Sequence, residues 1–204
     1  MDNTWILDFA HTPWLFLILF LLVVADAFLV VLPSETAVVA LAALAGSTGS
    51  PQLSVLIPVA ALGAIVGDSC CFAIGRAVGH DRWRWQRHGR LGAALSRARS
   101  TVLARPASLI FTARYIPFAR IAVNLSAGAV GLRYRRFLPL SVAAGIGWAL
   151  YNCAIGLFFG RLLGQTPVLA IVVSIVVAVA LGITVDLIVS RVTRERTASA
   201  PPAE

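Results

Sequence analysis

The chain contains no lysine; all 17 of its basic residues are arginine. Charge of either sign is scarce, at 13% of 204 residues, where soluble domains carry roughly a quarter. Hydrophobic residues make up 59% and the mean hydropathy is +0.86, with the apolar residues gathered in long blocks. This excludes an ordinary soluble enzyme or binding module and points to an all-α integral membrane protein. Cysteine is also scarce. Cys70, Cys71 and Cys153 lie in apolar segments with no C-x-x-C or Cys/His spacing, so they read as packing residues, with no metal site. Residues 1–13 carry Asp2 and Asp8 but no Lys or Arg. A cleaved leader needs a positive start, so the first apolar block is expected to be a retained helix. A net charge of +8 would suggest nucleic acid in a soluble protein. Here the arginines flank apolar blocks, where cytoplasmic loops and anionic headgroups account for them and no nucleic-acid partner is needed.

A membrane-crossing helix needs about 20 mostly apolar residues. Segments 13–32, 53–78, 137–159 and 167–189 meet that requirement and are expected to span. Two segments do not. Residues 33–46 are too few, and residues 107–131 are broken at Pro117 between Arg114 and Arg120. Short, Pro-interrupted segments in matching places are the usual sign of re-entrant elements around a midmembrane site. The expected architecture is therefore four transmembrane helices plus two opposed re-entrant hairpins. The halves echo each other weakly, as an inverted repeat would. It forms one polytopic domain over 1–190, followed by a short tail over 191–204.

Arginines cluster at three places: seven between residues 80 and 105, then Arg133, Arg135 and Arg136, then Arg191, Arg194 and Arg196. Placing all three in the cytoplasm obeys the positive-inside rule and closes the topology only if both short segments are re-entrant. The N-terminus and C-terminus are then inside. Segment 80–105 is a basic cytoplasmic segment, read either as an amphipathic surface helix or as a loop.

Intramembrane charges cost roughly 2.5–3.5 kcal/mol each on insertion scales. Asp26, Glu35, Arg114 and Arg120 incur that cost, with Asp68 as an accessory candidate. Mutual pairing as structural glue is one reading; a polar substrate path is the other. Arginine presents a planar fork that matches phosphate oxygens, and carboxylates in a low-dielectric site take up and release protons. The set suits an anionic group moved with, or against, protons. Histidines His11, His80 and His88 lie outside the spans, and Asn124-Leu125-Ser126, a glycosylation sequon by pattern, falls within a membrane segment. Gly63/Gly67, Gly75/Gly79 and Gly156/Gly160 have the small-xxx-small spacing of close helix contacts.

Four motifs in order resemble the DedA family of bacterial membrane proteins, over roughly residues 20–163. They are Asp26 followed by Pro33-Ser34-Glu35; Gly67-Asp68 with Gly75-Arg76; Phe111-Thr112-Ala113-Arg114-Tyr115-Ile116-Pro117-Phe118-Ala119-Arg120; and Tyr134-Arg135-Arg136-Phe137. Ser34 and Phe118 stand where the family commonly has glycine, and Asp26 where glutamate is frequent. The resemblance implies two facing re-entrant hairpins and lipid translocation dependent on the proton-motive force. Polyprenyl-phosphate carrier recycling for envelope synthesis in the bacterial cytoplasmic membrane is the leading role. Arg114 and Arg120 would bind the substrate phosphate, and Asp26 and Glu35 would carry protons. The partners are then an anionic lipid, protons and the membrane, with no cofactor and no covalent turnover; a homo-oligomer stays open. A phospholipid scramblase or small-ion/proton exchanger would use the same charges. A membrane lipid phosphatase is the alternative from another class.

Overall fold

The computed structural model describes residues 13–29, 32–79, 100, 102–114 and 117–162, with short helical stretches at 172–173, 175–177 and 180. Among these residues every regular element is helical: α1 Pro13–Asp26, α2 Ser34–Thr48, α3 Leu53–Val78, α4 Pro106–Ala113, α5 Pro117–Ala129 and α6 Tyr134–Leu162. Segments 1–12, 80–99 and 181–204, and most of 163–180, lie outside the described residues. The expected basic segment, fourth span and tail fall largely there.

Helices α3 and α6 are long and apolar enough to cross a membrane by length and composition. At 1.5 Å per residue they reach about 39 and 44 Å, against a hydrocarbon core near 30 Å. The first expected span, 13–32, is helical only to Asp26, where the chain turns: the Phe28 and Leu29 amides both donate to the Ala25 carbonyl at 2.9 Å. Segment 107–131 divides into α4 and α5. Proline marks the starts, since its fixed φ suits a first turn in which its missing N–H costs nothing: Pro117 is the first residue of α5, and Pro33 immediately precedes α2. Gly49 ends α2 in the left-handed region (φ 82°), its amide donating to Ala45 O at 3.0 Å.

The packing exchanges partners between the halves. Helix α2 packs chiefly on α6, and α5 on α3, while α3 and α6 cross each other. The crossing is antiparallel: Phe72 stacks on Phe137 with ring centroids 4.5 Å apart, and Gly145 lies against Ile65 and Ala61. Helix α2 runs parallel to α6, with Val39 beside Gly156 and Ala43 beside Gly160, and α5 runs parallel to α3, with Leu125 beside Gly75. Helices α2 and α5 therefore point in opposite directions. Ala73-Ile74-Gly75-x-x-x-Gly79 in α3 recurs as Ala154-Ile155-Gly156-x-x-x-Gly160 in α6. In each helix the first glycine of this repeat receives the small-residue helix of the opposite half. A Cβ at Gly75, Gly128, Gly156 or Gly160 would run into main-chain atoms of the facing helix, so these crossings are backbone against backbone.

Two apolar clusters result. One joins Leu19 and Val23 of α1, Val38 and Ala42 of α2, Leu56 through Ala64 of α3, and Trp148, Ala149 and Cys153 of α6. The other joins Phe72, Ile110, Ala127, Phe137 and Ala144 with their neighbours. Asp68 falls between them on α3. The outward face of α1 leaves Trp14, Ile18 and Leu21 more than half exposed, as a helix in contact with lipid would.

Candidate functional site

Asp68 is 1% exposed and is the centre of the polar network. Its Oδ1 accepts from Arg120 Nε at 3.0 Å and Asn124 Nδ2 at 2.9 Å; its Oδ2 accepts from Arg114 Nη1 at 2.7 Å and Ser141 Oγ at 3.1 Å. A carboxylate offers about four lone-pair sites, and here all four are used. The four donors come from three segments: Arg114 from the α4 end, Arg120 and Asn124 from α5, and Ser141 from α6. The network thus ties α3 to the second half of the chain.

Arg120 extends it to the first half. Its Nη1 donates to Asp26 Oδ2 at 3.1 Å while its Nε holds Asp68, so one guanidinium bridges the end of α1 and the middle of α3. Two carboxylates and two guanidiniums balance in sign, which offsets the cost of removing them from water. One buried polar atom at the site, Arg120 Nη2, has no hydrogen-bond partner among the described residues. Such a group costs roughly 1–3 kcal/mol when left unsatisfied.

Glu35 stands apart. It is exposed in the first turn of α2, where a negative charge suits the helix dipole, and Oε1 accepts from Trp148 Nε1 at 3.2 Å. The face of the same indole lies 5.7 Å from the Arg114 guanidinium carbon, within cation–π range. Trp148 therefore touches both Glu35 and the arm of the Asp68 network.

Of the residues singled out from the sequence, the structure gathers Asp26, Asp68, Arg114 and Arg120 into one cluster and leaves Glu35 at its edge, bonded to Trp148 and within electrostatic reach of Asp26. Asp68 had entered as an accessory and proves to be the hub. Arg114 contacts Asp68 rather than presenting an open fork. Ser141 and Trp148 are not marked by the sequence, and Asn124 is marked there only by its sequon pattern. The signal that could have found it is its spacing, an amide four residues after Arg120 and so on the same helical face. Cys70, Cys71 and Cys153 are free thiols; Cys71 is buried with Sγ donating to Ala27 O at 3.1 Å. Among the described residues no three His, Cys, Asp or Glu side chains converge.

The VTT-domain family matches residues 32–158, which hold Glu35, Asp68, Arg114 and Arg120 but not Asp26. The chain is 31% identical over 182 residues to an uncharacterized membrane protein of Mycobacterium tuberculosis (strain H37Rv), covering 83% of this chain and 78% of that protein. It is 27% identical over 154 residues to the protein DedA of Escherichia coli K12, covering 73% and 70%. An uncharacterized membrane protein of Synechocystis is 29% identical over 146 residues, 68% of this chain, and the match spans less than two thirds (64%) of that relative's length. No solved structure matches. With the family matched over more than half its length, and with helices apolar and long enough to cross a bilayer, the chain is a membrane protein of the VTT-domain (DedA) family.

Proposed function

We propose that the chain transports an anionic lipid, polyprenyl phosphate foremost, across the bacterial cytoplasmic membrane without making or breaking covalent bonds. The carrying observation is Arg120. It is held between Asp26 and Asp68, and its second terminal nitrogen is buried without a partner among the described residues. Membership of a family of membrane proteins supports a transporter-like role.

The chemistry follows from competition for one guanidinium. With Asp26 ionised, its carboxylate occupies Nη1. Protonation of Asp26 removes that attraction and frees Nη1 and Nη2 together, the pair that fits two phosphate oxygens. Asp68 keeps its hold on Nε and so preserves the orientation of the fork. Proton uptake and phosphate binding are then linked, and binding strengthens as pH falls. Glu35, the other acid near Asp26, passes protons between the site and the aqueous side and is steered by Trp148. Arg114 positions Asp68, and bridges to phosphate only through a rearrangement. The lipid tail stays in the bilayer while the headgroup passes between α2 and α5. In this reading segments 33–46 and 107–131 are re-entrant from opposite sides, segments 13–32, 53–78, 137–159 and 167–189 span, and both termini are cytoplasmic.

The test is reconstitution in liposomes, following polyprenyl phosphate and ordinary phospholipid separately across an imposed pH gradient. Expected is gradient-dependent movement of polyprenyl phosphate that is lost in Arg120→Lys, which keeps the charge but not the fork. Equal rates for both lipids would favour general scrambling, and an unimpaired Arg120→Lys would remove Arg120 from the substrate path.

A further inference from the structure

An open cavity of about 820 Å³ lies on a different face of α3 from the charge network. Ser69 lines it, and one residue along a helix turns the side chain by roughly 100° from Asp68. Its walls change character along their length. Ile65, Val66 and Ala73 of α3 with Phe72 make an apolar trough, and Arg76, Arg133 and Arg135 stand at one end. All three arginines are exposed; Arg76 makes one long bond, Nη1 to Leu132 O at 3.4 Å. Tyr134 Oη and Ser69 Oγ lie 3.1 Å apart partway along the trough.

We infer that this groove binds an anionic phospholipid of the surrounding leaflet, its phosphate on Arg76, Arg133 and Arg135 and one acyl chain along α3. Three features carry this, and none rests on the transport reading. The first is charge complementarity: three cations at the end of an apolar trough match one lipid anion joined to a hydrocarbon chain. The second is length. From Ile65 to Arg76 the helix rises about 16 Å, close to half of a 30 Å hydrocarbon core, which is the depth of a single leaflet. The third is the hydroxyl pair. Tyr134 and Ser69 use one of their two protons in their mutual bond, and the other remains to donate to an ester oxygen of a lipid lying in the trough. The aromatic stack of Phe72 on Phe137 and Tyr134 fixes the wall that presents them.

Cys70 lines the same groove and is partly exposed, whereas Cys71 and Cys153 are buried, so Cys70 is a native reporter. The experiment uses the delipidated full chain in neutral detergent, with alkylation by N-ethylmaleimide read at Cys70 by peptide mapping. Phosphatidylglycerol is expected to slow the reaction at least tenfold, and phosphatidylcholine and inorganic phosphate not to. The combined variant Arg76→Gln, Arg133→Gln and Arg135→Gln should weaken phosphatidylglycerol protection about 100-fold, roughly fivefold per arginine. Ala73→Trp should abolish protection by filling the trough with no change in charge. Arg120→Gln should keep protection intact, which separates failure of the groove from failure of the transport site. Equal protection by both lipids would overturn the inference, as would protection by phosphate alone or undiminished protection in the triple-arginine variant. Protection already present without lipid would also overturn it, and would assign the groove to a second copy or another segment of this chain.

Discussion

Replacing Asp68 by Asn should be among the most damaging conservative changes in this protein. The substitution keeps the shape and removes one charge. It also turns one acceptor oxygen into an NH2 donor. Whichever way the amide faces, that donor meets two donors: Arg114 Nη1 with Ser141 Oγ, or Arg120 Nε with Asn124 Nδ2. Ser141 and Asn124 can turn to accept but the arginine cannot, so at least one hydrogen bond is lost along with the charge. Screening gives little relief, because the side chains of Asp68, Arg114 and Arg120 are only 2%, 4% and 11% exposed. Breaking a buried pair by removing one partner costs about 3–5 kcal/mol, a large part of the 5–15 kcal/mol that separates folded from unfolded states. The Asp68→Asn protein should lose that much stability in detergent, measured by reversible SDS-induced unfolding. Arg114→Gln alone should be comparably harmful. Combining the two should cost at least about 1 kcal/mol less than the sum of the single changes, because the residues are in contact. Glu35→Gln sets the contrast: exposed, with one bond from Trp148, it should cost about 1 kcal/mol or less. Asp68→Asn within about 0.5 kcal/mol of the parent protein, or strictly additive double changes, would refute the hub.

Gly128→Ala should destabilise by about 1–3 kcal/mol, because its Cβ meets the Phe72 carbonyl and the Arg76 amide, whereas Gly147→Ala, with nothing within 4 Å, should be neutral or slightly stabilising; thermal unfolding of both in one detergent checks this. Asp26→Asn should remove the pH dependence of phosphate-lipid transport, since the group that releases Arg120 on protonation is gone; retained acid stimulation in liposomes would remove Asp26 from the coupling. For topology, single cysteines on a cysteine-free background should label from outside at the exposed Gln52 and from inside at Ser96; external labelling at Ser96 would overturn the assignment of the basic segment to the cytoplasm.

Much was legible from the residues alone because it depends on local chemistry. A 59% hydrophobic chain with 13% charge has no solvent but lipid for its apolar blocks, so the membrane class follows directly from composition. The breaks were legible too: Pro33 and Pro117 act on their own backbone, and each sits at a helix start whatever packs around it. The intramembrane charges stood out because their cost is paid by position in an apolar run. Which charge meets which was a different matter. Asp68 joins Arg114 and Arg120 across 46 and 52 residues, and Asp26 joins Arg120 across 94. Those pairings depend on how far α3, α5 and α6 are rotated about their axes. Rotation is set by backbone contacts at Gly75, Gly128 and Gly156; the small-xxx-small spacing marks Gly75 and Gly156 as contact points but does not say which helix each one meets. The same contacts turn Glu35 away toward Trp148 and leave Asp68, one acid among several in the sequence, as the only described carboxylate with both oxygens doubly bonded. The tertiary structure decided the centre of the site because a buried carboxylate is defined by its donors, and these donors arrive from α4, α5 and α6.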